Sequence, residues 1–383
     1  MEHRLAQLAR LLAAALVFCW ATNSAAGDTL ARLTDPADGW LDASAFLDSA
    51  YGFVPVIAPI TEPAVGYGAV GALVFIDRKP PVEGQPFVRP NIAAVGGLAT
   101  ENGTDGLFAA HLGTWRDGRL RTTVGVAKAN INLAFFGLGD RESAGTGGLD
   151  YSIEATGGVA GANYRIGSHP VWLGLRYALA DTQVRLRESD VTPPGILPGD
   201  RHLRLAGLTP SITLDTRDVF FTPTRGWYLD LSAPVFRADF GGDRDFELLT
   251  LSAMYFRPLG PSLYFGIRGA GKESSDGTPF YLRPYVALRG VPALRYQGEQ
   301  AAEVEAELRW QFHPRLSLVA FGGAGTARSE VDHRERSQDV GAGGVGFRYL
   351  VARTYGLHMG LDVAVGPDDP VVYVVFGSQW LRP

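Results

Sequence analysis

The segment Ala302 to Phe312, AEVEAELRWQF, sets Ala302, Val304, Ala306, Leu308, Trp310 and Phe312 against Glu303, Glu305, Glu307, Arg309 and Gln311. Successive side chains of a strand point to opposite sides, so this strict alternation is a β-strand with one apolar and one charged face. The pattern returns. Val171 to Leu179 opposes Val171, Leu173, Leu175, Tyr177 and Leu179 to Trp172, Gly174, Arg176 and Ala178. Tyr355 to Val365 opposes Tyr355, Leu357, Met359, Leu361, Val363 and Val365 to Gly356, His358, Gly360, Asp362 and Ala364, and Leu263, Phe265 and Ile267 oppose Tyr264, Gly266 and Arg268. A soluble sandwich alternates too, but many of these strands also have the about 9 to 11 residues that a tilted membrane strand needs. Small and charged residues sharing a face suit a crowded, wet lumen.

Strands are expected near 52-60, 66-76, 91-99, 104-114, 119-136, 149-166, 171-187, 203-215, 226-237, 246-257, 262-271, 302-312, 315-326, 339-350, 355-365 and 371-380, sixteen in all. An even number is what single-chain bacterial outer-membrane barrels carry. With the N-terminus on the periplasmic side, the outer connections are 61-65, 100-103, 137-148, 188-201, 238-245, 272-301, 327-338 and 366-370. The inner ones are mostly tight, at 115-118, 167-170, 258-261, 313-314 and 351-354, with exceptions at 77-90 and 216-225. Long outer loops and short inner turns complete the expectation of a sixteen-stranded antiparallel transmembrane β-barrel, with a long outer loop between strands eleven and twelve. Broken alternation in 119-136 and 203-215 predicts bulges there.

Residues 1-26 read as an export signal: Arg4 and Arg10 precede the apolar run Leu11 to Trp20, and Ser24-Ala25-Ala26 offers small residues for cleavage. That run is too short to span a bilayer core of about 30 Å. The only cysteine, Cys19, lies in it, so the exported chain has no disulfide or thiolate chemistry. Residues 27-50 are expected to form a short periplasmic segment, with a helix from about Asp42 to Ser49, and 51-383 the barrel. Composition agrees with many strands: 48 glycines, 11% aromatic residues, and no apolar stretch of membrane-helix length after the signal. The net charge of -5, with dispersed basic residues, gives no track for a phosphate backbone, so nucleic acid is not an expected partner.

Two stretches, Gly66-Tyr-Gly68-Ala-Val-Gly71 and Gly341-Ala-Gly343-Gly-Val-Gly346, have dinucleotide-fingerprint spacing. That fingerprint needs a helix whose N-terminus meets the pyrophosphate. Here ALVFI and FRYLV follow, which continue as strand, so no cofactor is expected. Neither a Gly-x-Ser-x-Gly elbow nor a His-Glu-x-x-His zinc pair occurs, and the seven histidines are scattered. Catalysis and a metal centre are therefore not expected.

The segments Asp215-Thr-Arg-Asp218, Thr222-Pro-Thr-Arg-Gly226-Trp-Tyr-Leu-Asp-Leu231, Leu288-Arg289-Gly290-Val291-Pro292 and Ala306-Glu307-Leu308-Arg309-Trp310 closely resemble the bacterial surface antigen family, the superfamily of BamA- and TamA-like outer-membrane assembly barrels. The resemblance implies that the long loop folds into the lumen, where acidic residues on the wall hold its Arg289-Gly290 tip. It assigns Glu307 as the carboxylate partner of Arg289, with Glu303 and Glu305 on the same face able to share that role. One departure is that Leu318-Val-Ala-Phe321-Gly-Gly-Ala-Gly325 lacks the aspartate that often follows the family's phenylalanine. The final strand, with Tyr373, Phe376 and Trp380, resembles the C-terminal signal read by outer-membrane assembly machinery, except that Leu381, Arg382 and Pro383 follow. Family members also carry periplasmic POTRA repeats, for which the stretch between Gly27 and Tyr51 leaves no room.

The resemblance implies insertion of membrane proteins or translocation of polypeptides, through a weak seam between first and last strands that templates an incoming strand. Pro55, Pro59 and Pro63 favour a poor seam, since proline cannot donate to the ladder. The alternative is a passive or gated channel or a structural barrel for small solutes. Expected partners are outer-membrane lipid, the assembly machinery during biogenesis, and a separate periplasmic protein supplying client capture.

Overall fold

The computed structural model describes residues 33-45, 52-77, 91-135, 149-186, 201-331 and 334-380. The export signal, most of the helix expected from Asp42, and the connections 78-90, 136-148 and 187-200 lie outside these. The described chain is almost all strand: β1 (Gly52–Ile60), β2 (Gly68–Asp77), β3 (Asn91–Thr100), β4 (Asp105–Trp115), β5 (Leu120–Phe135), β6 (Leu149–Arg165), β7 (Val171–Leu186), β8 (His202–Asp215), β9 (Gly226–Ser232), β10 (Val235–Phe236), β11 (Phe246–Pro258), β12 (Leu263–Ser274), β13 (Gln300–His313), β14 (Leu316–Val331), β15 (Arg334–Ala352), β16 (Leu357–Val365) and β17 (Val371–Phe376). No described helix is long and apolar enough to cross a membrane, which says nothing of crossing by strands.

Apart from β9 and β10, each strand pairs antiparallel with the next, from β1–β2 through β16–β17. The strand expected at 226-237 breaks at Ala233-Pro234 into β9 and β10, and both halves lie between β8 and β11, so seventeen strands fill sixteen positions. Proline's missing N–H explains the break. The bulges expected in 119-136 and 203-215 are absent: β5 and β8 keep an unbroken register with β4 and β7. Register shifts occur instead at Trp310/His313 and Leu350/Ala352, beside short turns. The outer loop expected at 327-338 is also corrected, because β14 and β15 pair as far as Val331↔Arg334.

Burial inverts the pattern of a soluble protein. On β13, Val304, Leu308 and Trp310 are 46%, 40% and 52% exposed, whereas Glu303, Glu305 and Arg309 are 5%, 3% and 5% exposed. Such charges leave water only when paired, and the exposed apolar row is stable only against lipid. At the short-turn end the outward face carries Trp115, Tyr164, Trp227, Trp310 and Phe312, all exposed, as an interfacial aromatic girdle does.

Registers carried from strand to strand place Tyr151, Leu203, Arg268, Glu305, Phe321, Asp362 and Tyr373 on one face. The connection 275-299 touches that face on opposite parts of the sheet. Phe280 and Tyr281 pack with Tyr151, Ile153, Val184, Leu203, Leu205 and Phe246, while Val286, Leu288, Val291 and Tyr296 pack with Ala327 and Val340. One segment can reach both only if the sheet curves around it. The inner connection 216-225, unusually long, closes on itself: Asp218 accepts from the amides of Val219, Thr224 and Arg225, and Arg217 forks onto Asp215 at 2.8 and 2.9 Å.

At the short-turn end, residues 33-45 lie over the β13–β14 and β15–β16 turns. The fully buried Arg315 guanidinium meets Asp35 at 2.5 Å, Asp38 at 2.7 Å and Asp42 at 2.5 Å, and the Ala43 amide donates to Val351 O at 2.6 Å. The Arg315 hydrogen bond holds the Asp38 carboxyl down at about 2. Burial raises Asp42, but hydrogen bonds from Ser44 and Arg315 outweigh it and leave this carboxyl lowered. Groups with depressed values support the docked state above their free value of about 3.9 and stop doing so as pH falls through the bound one. Pepsin is therefore expected to leave residues 33-45 uncut at pH 4 and to cut them near pH 2. Equal cutting at both would show that these ion pairs do not hold the segment.

Candidate functional site: the Arg289 tip and its carboxylate wall

The spacing of β13 places Glu303, Glu305 and Glu307 on the concave face, one residue apart in the period of two. Across the sheet, Glu305 opposes Arg268 on β12, Glu307 opposes Phe321 on β14, and Gly346 on β15 opposes Asp362 on β16. The tip Leu288-Arg289-Gly290-Val291 descends into this hollow.

Arg289 is 5% exposed. Its Nε and Nη2 donate to Glu305 Oε1 at 3.0 and 2.7 Å, and its backbone amide reaches Glu305 Oε2 at 3.3 Å. Nη1 meets Glu307 Oε2 at 2.8 Å and Asp362 Oδ2 at 2.9 Å, and the guanidinium carbon lies 3.6 Å from the centre of the Phe321 ring. A planar fork with fixed donors can satisfy three carboxylates and a ring face together, as an ammonium cannot.

The remaining charges are matched as well. Asp362, fully buried, receives both terminal nitrogens of Arg348 at 2.5 and 2.9 Å. Gly346 leaves the space in which that pair sits, since a Cβ there would collide with Asp362 Oδ1 and Arg348 Nη1. The second glycine-rich stretch thus serves lumen packing, within β15. Gly290 has φ +88°, a left-handed conformation that L side chains rarely adopt, and its amide donates to the Tyr373 hydroxyl at 3.0 Å.

The sequence-derived partners sort as follows. Glu307 contacts Arg289, but Glu305 makes more of the contacts. Glu303 does not meet Arg289. It pairs with Arg268 at 2.9 Å and Lys272 at 3.2 Å, and these two donate to loop carbonyls, Arg268 to Ala287 at 2.7 Å and Lys272 to Tyr285 at 2.8 Å. Glu303 therefore steadies the loop through its neighbours. Asp362 was missed as a partner, although the alternation of 355-365 already put it on the polar side.

The C-terminal residues also differ from expectation. The last strand ends at Phe376, not at Trp380. Gly377 turns with φ +75°, its amide held by His358 O at 2.7 Å and that of Ser378 by Phe221 O at 2.6 Å. Trp380 then packs with Tyr228, Met254 and Phe256 on the far wall and donates its indole N–H to Glu305 Oε1 at 2.5 Å. Tyr373 and Trp380 thus meet at the Arg289 cluster, whereas Phe376 faces outward, 39% exposed.

No protein-family model matches the chain, and no curated protein matches its sequence. Among solved structures, BamA from Haemophilus ducreyi lacking POTRA domains 1-3 superposes with a TM-score of 0.59 at 12% identity, over 91% of this chain and 81% of that one. CdiB from Acinetobacter baumannii gives 0.57 at 10% identity, over 85% of this chain, and CdiB from Escherichia coli 0.56 at 12%, over 86%. The chain spans 59% and 60% of those two CdiB chains. At such identities the likeness is one of fold, and it agrees with the inverted burial and the curved antiparallel sheet: this chain has the fold of the BamA-like outer-membrane β-barrels.

Proposed function

We propose that the protein resides in the outer membrane and promotes insertion of membrane proteins or passage of polypeptides there, by opening a seam between β1 and β17. The supporting observation is the state of that edge. Every other neighbouring pair of strands forms a ladder, but among the described residues β1 and β17 form none, and just past the end of β1 Val374 N donates to Thr61 Oγ1 at 3.4 Å. Pro55 and Pro59 stand four residues apart, so their nitrogens point to the same edge of β1. The unbroken β1–β2 register puts that edge away from β2, on the unpaired side of β1. An edge with missing donors is weakly sealed and available to another strand.

The chain from 27-50 would then lie on the periplasmic side and 51-383 form the barrel. The Arg289 tip lies against Tyr373 of β17, while Glu62, beside β1, accepts the amide of Ala293 at 3.1 Å. The loop thus touches both sides of the seam and would set its resting state. The apolar clusters under the loop argue against the alternative of an open channel. In this reading the assembly machinery acts during biogenesis, and a separate periplasmic protein delivers clients.

A disulfide between Thr61→Cys and Val374→Cys would test the seam. Oxidised protein in liposomes is expected to lose insertion of an unfolded outer-membrane barrel, with recovery on reduction. Equal insertion by oxidised and reduced protein would sink seam opening and leave the channel reading as the stronger one.

A further inference from the structure

The convex face changes character at a fixed height. Across β4–β8 the register row at the girdle runs Trp115, Leu120, Tyr164, Leu173 and Ile212, and ten residues away along each of these strands lies the row Asp105, Asn130, Glu154, Gln183 and His202. Ten residues at about 3.3 Å each give about 33 Å of strand, or about 25 Å of height at a tilt of about 40°. That is the height of the apolar band. The polar row therefore stands at the outer boundary of the membrane, level with the head groups of the outer leaflet.

A hollow of about 620 Å³ opens there on the outside of β4–β8. The polar row lines it together with Lys128, Thr156 and Asp181 from the next row toward the girdle, and all of these are exposed except Asn130, which is half-buried. Its size is that of a small-molecule site. The charges are balanced: Arg185 at the rim meets Glu154 at 2.8 Å, Arg204 lies 3.9 Å from Asp181, and Lys128 stands diagonally between Asp105 and Glu154. Balanced charge exerts little net pull on an ion, so recognition falls to hydrogen bonds. The carboxylates accept, Lys128 donates, and Asn130, Gln183 and Thr156 do both. Closely spaced donors and acceptors of this kind suit the neighbouring hydroxyls of a sugar.

Toward the girdle the hollow continues as an apolar groove. Leu107 and Lys128 line the polar part, and the next outward-facing residues of β4 and β5, Ala109 and Val126, line a second hollow of about 490 Å³. Ala93 and Ala109 form its low floor, with Leu73 and Phe75 on one side and Val124 and Val126 on the other, all four exposed. It ends at His111, whose ring lies 6.4 Å from that of Trp115 in the girdle. This groove lies between the girdle and the polar row, at the depth of lipid chains.

We propose that the two hollows form one site for a glycolipid of the outer leaflet, its sugar against β4–β8 and an acyl chain along Ala109 and Ala93. A phospholipid with the same chains offers fewer hydroxyls and sets its phosphate against Asp105, Glu154 and Asp181. The site rests on the membrane orientation given above, with residues 33-45 on the periplasmic side, and not on opening of the seam. Its failure would leave the seam experiment unaffected.

The test is native mass spectrometry of the full-length exported protein in a polyoxyethylene detergent, which carries no sugar, titrated with dioleoyl diglucosyl glycerol. Dioleoyl phosphatidylglycerol and maltose serve as controls. One glycolipid is expected to stay bound, about tenfold more tightly than the phospholipid, and maltose is expected not to bind. The double variant Asn130→Leu, Gln183→Leu removes two side chains that pair with hydroxyls and should weaken glycolipid retention about tenfold. Ala109→Trp fills the floor of the groove and should lower retention to that of the phospholipid. All three positions face outward, and the heat-dependent gel shift checks that both variants fold. Absence of bound glycolipid in the wild type, or equal retention of the two lipids, would overturn the proposal. So would maltose binding as tight as the glycolipid, or unchanged retention in both variants while their melting matches the wild type.

Discussion

Replacing Arg289 by alanine is expected to cost about 3–5 kcal/mol of stability, because it strands carboxylates that have left water for this one guanidinium. Asp362 keeps Arg348 and Glu305 keeps the Trp380 indole, but among the described residues Glu305 loses its only ion pair and Glu307 loses its own. The loss is large against a typical total of about 5–15 kcal/mol. It should appear as a lower unfolding temperature in lipid, read by the heat-dependent shift in gel mobility of a barrel. Glu305→Ala should cost less, since it removes a carboxylate and leaves Arg289 with Glu307 and Asp362. Glu307→Ala should cost least, its side chain being 18% exposed. Arg289→Lys should recover only part of the loss, since an ammonium cannot fork onto Glu305 and reach Asp362 together. Wild-type melting in Arg289→Ala would mean that these contacts contribute nothing to holding the loop.

Removal of the loop itself should have the largest functional consequence. The Ser274 amide already donates to Glu299 O at 2.8 Å, so β12 and β13 stand side by side where the loop leaves them, and a short Gly-Ser linker can replace 276-297. The deletion removes Phe280, Tyr281, Val286, Leu288, Val291 and Tyr296, which fill the space between opposite walls. Wild-type protein in a planar bilayer is expected to stay nearly closed, and the deletion to conduct as a stable, large pore. If both conduct alike, the loop does not occlude the lumen and the simple porin reading gains. Folding of the deleted protein is checked in the same sample by its gel-mobility shift.

The strand pattern was legible because period-two alternation depends only on the order of residues along one strand. Val304, Leu308 and Trp310 against Glu303, Glu305 and Arg309 separate cleanly, and the structure keeps that division with the charged side inward. Orientation follows from burial, and burial from the solvent being lipid. What depends on contacts between distant strands was less legible. Spacing on β13 placed three glutamates on one face but could not say how deep the loop descends, which decides that Glu305 rather than Glu303 meets Arg289. Asp362 lies 73 residues from Arg289 in sequence and reaches it only through the β14–β15–β16 registers. Trp380 read as the end of a strand because its pattern continues that of Tyr373 and Phe376. Gly377, with its left-handed backbone, breaks the strand and sends the indole inward. The Arg315 clamp went unseen for a related reason: Asp35, Asp38 and Asp42 look like solvated turn residues until the β13–β14 turn is brought to them.

The central claim, that the β1 edge receives an incoming strand, is tested most directly by photo-crosslinking. A photoreactive residue is placed at Ala58 on β1, and a matching one at Leu251 on β11, a strand paired on both sides. During assembly of a stalled outer-membrane precursor, adducts are predicted from position 58 to the precursor's last strand, and none from position 251. Absence of adducts from position 58, or equal labelling from both positions, would contradict the account.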